Sequence, residues 1–202
     1  MENALNTLSP ERRAALQERL ASVRNRVAEA ARAAGRKAED VTLVAVSKTH
    51  PAEAVAVAHA LGQVAFGENY VQEVLAKQEA LAALPLRWHF IGHLQSNKAK
   101  FVTGRFCLIH TVDSMKLAQN LHKHLDDLAP GGLLRENNTH IGIQEILIQV
   151  NIGNEEQKSG VDAAGLPALA ESVMGLENLR LVGLMCIPPL SLSAEETRPY
   201  FV

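Results

Sequence analysis

The sequence has few cysteines, almost no net charge and no long apolar run. Its 202 residues include two cysteines, Cys107 and Cys186, and carry a formal net charge of −2. Two cysteines without CxxC spacing indicate small core residues in a reducing compartment, so a disulfide is the minority interpretation. The balanced charge gives no global bias toward nucleic acid, and no apolar run reaches the length of a membrane span. Because Met1-Glu2-Asn3 does not begin a signal peptide, we expect a cytoplasmic protein.

The chain also lacks glycine-rich nucleotide motifs. Neither GxGxxG nor a Walker sequence occurs, so a nucleotide-binding doubly wound sheet loses its usual support. What the chain does contain is an alternation of strand and helix patterns, which predicts an α/β fold with a parallel sheet in one domain over residues 1–202. A (β/α)8 barrel uses the same units but needs eight of them, and this sequence stops within the sixth or seventh.

Apolar spacing and capping residues give the expected bounds of these elements. Helices are predicted at about Pro10–Ala34, Pro51–Leu61, from Tyr70 onward, at Met115–Leu128, Ala163–Met174 and from Ala194. Strands are predicted at Val41–Val46, Val64–Phe66, Trp88–Ile91, Cys107–Val112, Glu145–Ile152 and Leu179–Ile187. Residues 129–140 contain Pro-Gly-Gly and Asn-Asn and are predicted to form a loop.

The first predicted helix carries many arginines. They are interleaved with glutamates on the faces outside one apolar stripe, a pattern typical of a solvated helix face. The arginines on these faces are Arg12, Arg13, Arg19, Arg24, Arg26 and Arg32. A nucleic-acid contact through this helix stays open as an alternative.

Lys48 is the most informative residue of the chain. It follows Val41–Val46, an unbroken apolar or β-branched run that predicts a strand buried on both faces. The carboxyl end of a core strand is where α/β folds collect their ligands. An ammonium there is expected to lose hydration, which makes its amine a potential nucleophile for carbonyl compounds. The alternative is a strand-end lysine whose charged group reaches solvent.

Other polar residues follow the predicted strands and would share one edge of a parallel sheet. They are Ser47, Glu68, Asn69, Gly92, His93, Asp113, Ser114 and Asn151, with Cys186 and Ile187 at the last strand. One lysine among amide, imidazole and carboxylate groups fits a Schiff-base site. Asp113 and Ser114 are more typical of helix caps, however, and His89 and His110 of core histidines.

Other kinds of catalytic site find little support. No pair of carboxylates and no Ser-His-Asp order stands out in the sequence. His122 and His124 are two residues apart on a predicted helix, so they cannot share a face as metal ligands. We therefore expect no metal site.

Six segments carry a resemblance to a known family. LVAVSKTHP, FGENYVQE, WHFIGHLQSNK, IHTVDS, NIGNEEQKSG and LVGLMCIP occur in this order. Together they resemble the pyridoxal phosphate homeostasis protein family, whose members are TIM-type barrels similar to the N-terminal domain of alanine racemase. The resemblance covers about Ala21 to Val202. It implies a barrel whose last two strands, with the principal contacts to the cofactor's phosphate and ring nitrogen, are absent from this sequence. We expect a truncated chain, and a natural short form with impaired cofactor binding is the alternative.

The resemblance also implies a cofactor and its contacts. Lys48 matches the family lysine that forms a Schiff base with pyridoxal 5′-phosphate, and Asn69 matches a residue near the cofactor ring. His89 and Met185 lie in motif strands that face the same region, so cofactor contacts are expected from both.

The implied function is a carrier that buffers pyridoxal phosphate in the cytoplasm and delivers it to apo-enzymes. We expect a non-catalytic monomer without a nucleic-acid or membrane partner, in which low side activity is possible. A pyridoxal-dependent racemase or lyase is the alternative. Two-sided proton transfer needs a second proton donor, and the sequence offers only Tyr70 and Tyr200 as tyrosines.

Overall fold

The computed structural model describes residues 9–128, 143–153, 155, 158–189 and 193–201. The loop predicted at 129–140 lies outside these residues. The chain divides into two compact units, Met1–Trp88 and His89–Val202. None of the helices within the described residues combines the length and the apolar character needed to cross a bilayer.

Helices and strands alternate along the chain, as predicted. The helices are α1 Pro10–Ala33, α2 Ala52–Ala60, α3 Val71–Ala80, α4 Ala99–Val102, α5 Met115–Leu128, α6 Leu166–Met174 and α7 Ala194–Thr197. Short 3-10 helices cover Ala38–Asp40, Ser96–Lys98 and Arg198–Phe201. The strands are β1 Ala45–Val46, β2 Ala65–Glu68, β3 Arg87–Phe90, β4 Leu108–Val112, β5 Gln144–Val150 and β6 Leu179–Cys186.

The strands pair in parallel, which confirms the predicted class of sheet. In the first unit β1 pairs with β2, so that Val46 lies opposite Gly67. In the second unit His89 and Phe90 of β3 pair with β4, β4 pairs with β5, and β5 pairs with β6. Parallel neighbours need a crossover between them, and the helices supply it. All these strands therefore point their carboxyl ends toward the same edge of their own sheet.

The prediction for β1 is wrong in length and in burial. Only Ala45 and Val46 are strand residues, and the side chains of Val41 and Val46 are 38% and 51% exposed. In the described part of the first unit, β1 pairs with β2 alone. In this structure the apolar run therefore does not form a strand that is buried on both faces.

Ser9 and Pro10 set the start of α1 at the predicted residue. The Ser9 hydroxyl accepts a hydrogen bond from the Arg12 amide at 3.4 Å, and Pro10 occupies the first turn. Arg24, which was expected on the solvated face, instead donates to the Leu61 carbonyl at 2.9 Å and to Gln63 Oε1 at 3.3 Å. This arginine therefore ties α1 to the turn that follows α2.

The core of the second unit is formed by β4, β5 and α5. Alternate residues of β5, among them Ile146 and Ile148, are fully buried. On α5, Leu117, Leu121 and Leu125 recur every four residues and are also buried, which is the pattern of one apolar helix face. The bounds predicted for this helix, Met115–Leu128, are confirmed.

We predict that Leu121→Ala lowers the free energy of unfolding by about 2–5 kcal/mol, because it leaves a cavity beneath α5. Leu128→Ala is the matched control on the same helix. Its side chain is 57% exposed, so its loss should cost no more than about 0.5 kcal/mol. Urea denaturation measures both values. Equal losses would contradict the packing described for α5.

Candidate functional site

Lys48 lies in the turn directly after β1, at the carboxyl end of the strand. Lys48 and Thr49 are exposed, whereas the preceding Ser47 is only 5% exposed. The expectation that Lys48 loses its hydration is therefore wrong in this structure, where the residue is exposed. The amine is instead accessible to a ligand from solvent.

Asn69 lies at the corresponding place after β2. Since Val46 pairs with Gly67, Lys48 and Asn69 each stand two residues beyond a paired position of parallel strands. The structure thus brings these two predicted site residues to one edge of the β1–β2 pair. Asn69 is half-buried, and its Oδ1 atom is buried without a hydrogen-bond partner among the described residues.

Beneath this turn lies a buried lysine that the sequence analysis did not identify. Lys77, on α3, is 5% exposed. Its Nζ donates to the Ser47 carbonyl at 2.7 Å, to Glu68 Oε1 at 2.7 Å and to Glu73 Oε1 at 2.6 Å. A lysine ammonium has three N–H donors, so these contacts engage all of them.

Two further hydrogen bonds complete what we call the Lys77 cluster, formed by Ser47, Thr49, Glu68, Glu73 and Lys77. The Ser47 hydroxyl donates to Glu68 Oε1, and the Thr49 amide donates to Glu73 Oε1, each at 2.7 Å. Both residues that flank Lys48 in the chain are therefore held by side chains of β2 and α3.

The cluster places charges in the interior. Glu68 is fully buried, and a carboxylate can be buried only when it is paired and hydrogen-bonded. The hydrogen bond from Lys77 lowers the pKa of Glu73, although burial opposes this shift. Glu73 is therefore ionised at neutral pH. Glu68 Oε2, like Asn69 Oδ1, is buried and lacks a hydrogen-bond partner among the described residues.

Two carboxylates that the sequence did not single out meet here, and both are paired with the same lysine. Glu68 and Glu73 converge on Lys77, with both salt bridges shorter than 3 Å. One signal was present, because Glu73 and Lys77 are spaced i,i+4 on a helix. Such pairs usually lie on solvated helix faces, and the prediction ended β2 before Glu68. The sequence therefore did not indicate that Glu68 joins Glu73 and Lys77.

His89 and Met185 belong to the second unit. His89 is buried in β3, and its Nδ1 atom lies 2.9 Å from Nε2 of His110. Burial lowers the pKa of His110, as expected for a histidine pair within a core. Met185 is half-buried in β6, opposite Gln149 of β5. Because β4 and β5 lie between β3 and β6 in the pairing order, the structure does not make these residues neighbours, and their cofactor contacts stay predictions.

His93 is the residue in the second unit that most resembles part of a catalytic group. Its Nδ1 atom lies 2.9 Å from the Ser159 hydroxyl and 3.9 Å from Oδ2 of Asp113. A hydrolytic triad uses one ring nitrogen for the nucleophile and the other for the acid, whereas both contacts here involve the same nitrogen. The arrangement therefore does not form a triad. Of the two predicted caps, Ser114 accepts from the Leu117 amide at 3.4 Å, while the Asp113 carboxylate turns toward His93.

Metal-ligating side chains do not gather within the residues that the structure describes. No three histidine, cysteine or acidic side chains form a group that could hold an ion there. His122 and His124 each face their own aspartate on α5, Asp126 and Asp127, at 3.7 Å. Cys107 and Cys186 are thiols that form no disulfide with each other.

We predict that Lys77→Met lowers the free energy of unfolding by about 3–5 kcal/mol, because it leaves the Glu68 carboxylate buried without its counter-charge. The double variant Glu68→Gln/Lys77→Met removes the stranded charge together with the ammonium, so it should recover part of the loss. Guanidinium denaturation measures both. A double variant less stable than Lys77→Met alone would contradict this assignment.

Comparison with known proteins places the chain in a family. Residues 19–201 match the family model described as "Alanine racemase, N-terminal domain". The pyridoxal phosphate homeostasis protein of Pseudomonas aeruginosa is 50% identical over 173 residues, which cover 86% of this chain and 70% of the relative. The protein of the same name from Escherichia coli K12 is 45% identical over 172 residues, or 84% of this chain and 68% of the relative.

Solved structures agree with these matches. PipY of Synechococcus elongatus PCC7942, in a structure with PLP bound, shares 38% identity at a TM-score of 0.72, over 92% of this chain and 76% of that one. Alanine racemase of Clostridium difficile, at 14% identity and a TM-score of 0.61 over 80% of this chain and 40% of the racemase, shares the fold alone. The predicted class, a TIM-type α/β fold like that of the alanine racemase N-terminal domain, is confirmed. The chain belongs to the family of the pyridoxal phosphate homeostasis proteins.

Proposed function

We propose that the chain holds pyridoxal 5′-phosphate covalently at Lys48 and serves as a cytosolic buffer of this cofactor. The observation that carries the proposal is an exposed lysine amine, held between two anchored residues at the carboxyl end of a strand. The PLP-bound structure of PipY and the names of the relatives support the choice of ligand.

Two lysines belong to this region, and their surroundings select between them. The cofactor supplies an aldehyde that condenses with the lone pair of a primary amine. Lys77 is buried, and its three N–H groups all donate to protein oxygens. Lys48 is exposed to solvent. The contrast supports Lys48 as the anchor.

The neighbouring polar atoms fit a polar ligand. Oδ1 of Asn69 is buried and lacks a donor among the described residues, although the residue itself is only half-buried. The hydroxyl group or protonated ring nitrogen of pyridoxal phosphate offers such a donor. Asn69 is therefore the proposed polar contact beside Lys48. His89 and Met185 remain proposed contacts on the strength of their motifs.

The proposed role is non-catalytic. A carrier needs reversible attachment of the cofactor but no acid–base group held over a substrate carbon. The two carboxylates of the Lys77 cluster are both engaged by the Lys77 ammonium, which leaves neither of them set up as a general base toward a substrate. Apo-enzymes that accept the cofactor are the proposed partners, and we propose that the chain acts as a monomer.

Hydride trapping tests the anchor. After incubation with pyridoxal phosphate and reduction with borohydride, peptide mass mapping should place the added mass on Lys48. Lys48→Ala should lose both the visible absorption band and the trapped mass, because among the described lysines Lys48 is the exposed one at the end of β1. Lys116→Ala, which removes an exposed lysine of α5, is the matched control and should retain both. A wild-type protein that gains no band and no adduct would overturn the proposal.

Proton exchange separates the carrier from a racemase. We expect no deuterium incorporation at Cα, at enzyme-like rates, when the loaded protein is incubated with single enantiomers of amino acids in deuterated water. Mass spectrometry of the recovered amino acids measures the exchange, and alanine racemase provides the positive control. Rapid incorporation that disappears in Lys48→Ala would favour the enzyme.

A further inference from the structure

We propose that Lys77 and Glu73 are positioning residues, which hold the Ser47–Lys48–Thr49 turn in the conformation that presents the Lys48 amine. This inference rests on the proposed function, because it assigns a task to the residues around the cofactor-binding lysine. Neither residue needs to touch the cofactor. Both act through the backbone on the two sides of Lys48.

The start of the turn is anchored at Ser47. Ser47 is held twice, because its carbonyl accepts from Lys77 Nζ and its hydroxyl donates to Glu68 Oε1, both at 2.7 Å. Glu68 belongs to β2 and Lys77 to α3. The residue before Lys48 is therefore bound to two different elements of the first unit, and it is buried.

The end of the turn is anchored at Thr49. The backbone φ of Thr49 is +64°, which a β-branched residue rarely adopts. Among the described residues it is the only one besides glycine with a positive φ. The Thr49 amide donates to Glu73 Oε1 at 2.7 Å, and a charged acceptor makes this hydrogen bond strong. Glu73 therefore offsets the cost of a backbone conformation that the sequence itself disfavours.

Glu73 and Lys77 link the two ends of the turn. Glu73 Oε1 accepts from both Lys77 Nζ and the Thr49 amide, so the same oxygen that holds Thr49 is held by Lys77. Removing Lys77 loosens Ser47 directly and Thr49 through Glu73. Lys48 lies between these two anchored residues, and its own side chain is exposed. Its direction therefore depends on a backbone that the cluster holds in place.

Glu73→Ala is the most direct test. Glu73 is only half-buried, and its removal leaves the Lys77 ammonium still paired with Glu68. Losing one charge-assisted hydrogen bond should weaken pyridoxal phosphate binding about tenfold. In the apo-protein, the Thr49 amide should exchange with deuterium at least about tenfold faster for the same reason. Glu73→Gln keeps an oxygen that can accept from Thr49 but lacks the charge, so it should recover part of both properties.

Two further variants separate positioning from plain stability. Glu68→Gln/Lys77→Met removes the ammonium without leaving the fully buried Glu68 carboxylate unpaired, and it should weaken binding in the same direction. It provides an independent reading should Glu73→Ala fail to fold. Leu121→Ala destabilises the second unit without touching the Lys77 cluster, so at a temperature where it stays folded it should bind the cofactor as the wild type does.

The outcomes are distinct. The inference is overturned if Glu73→Ala, or the double variant, binds the cofactor like the wild type, or if Leu121→Ala weakens binding as much as they do. Unchanged exchange at Thr49 in Glu73→Ala would overturn it as well. Failure of the wild type itself to bind the cofactor would defeat the proposed function instead, because exchange of the Thr49 amide reports on the cluster without any ligand.

Discussion

The structure of the first unit depends on one buried ammonium. Lys77 joins the end of β2, the first turns of α3 and the segment after β1, since its acceptors are Glu68, Glu73 and the Ser47 carbonyl. Each partner would be costly to bury alone, the Glu68 carboxylate most of all. Together they satisfy one another and fix a turn that has little packing of its own. The exposed turn that carries Lys48 is thus supported by a charged interior rather than by an apolar one.

This arrangement gives two lysines of one region opposite tasks. The lysine that is locked in place stabilises the backbone, and the one that is exposed is available for chemistry. A carrier benefits from such a division, because its cofactor must be reached from solvent, attached reversibly and released again. An anchor on a preformed turn keeps the ordering cost of binding low while leaving the ligand accessible. The fold shared with alanine racemase therefore does not by itself require catalysis.

Local sequence signals predicted the elements whose structure depends on local interactions. Ser9 and Pro10 mark the start of α1, and Ser114 marks the start of α5. The prediction failed for β1, because burial of Val46 depends on neighbouring strands that its own composition does not reveal. The alternation of strands and helices still predicted a parallel sheet, since it reports on connections rather than on burial.

The residues of the candidate site likewise include some that the sequence predicted and one that it did not. Lys48 and Asn69 were recognisable from their motifs and from their position at strand ends. Lys77 was not, because a Glu-Lys pair at helical spacing is typical of a solvated face. Only tertiary packing shows that this lysine points inward. Buried charge is a property of the whole unit, and a linear pattern cannot distinguish it from surface charge.

A structure of the protein with pyridoxal phosphate bound tests the account most directly. We expect continuous density between Lys48 Nζ and the cofactor, with the Ser47–Thr49 backbone within about 1 Å of its present position, as for other preorganised sites. The Lys77 contacts to Glu68 and Glu73 should be unchanged. A cofactor joined to another lysine, or a turn rebuilt on binding with Lys77 released from its partners, would contradict it.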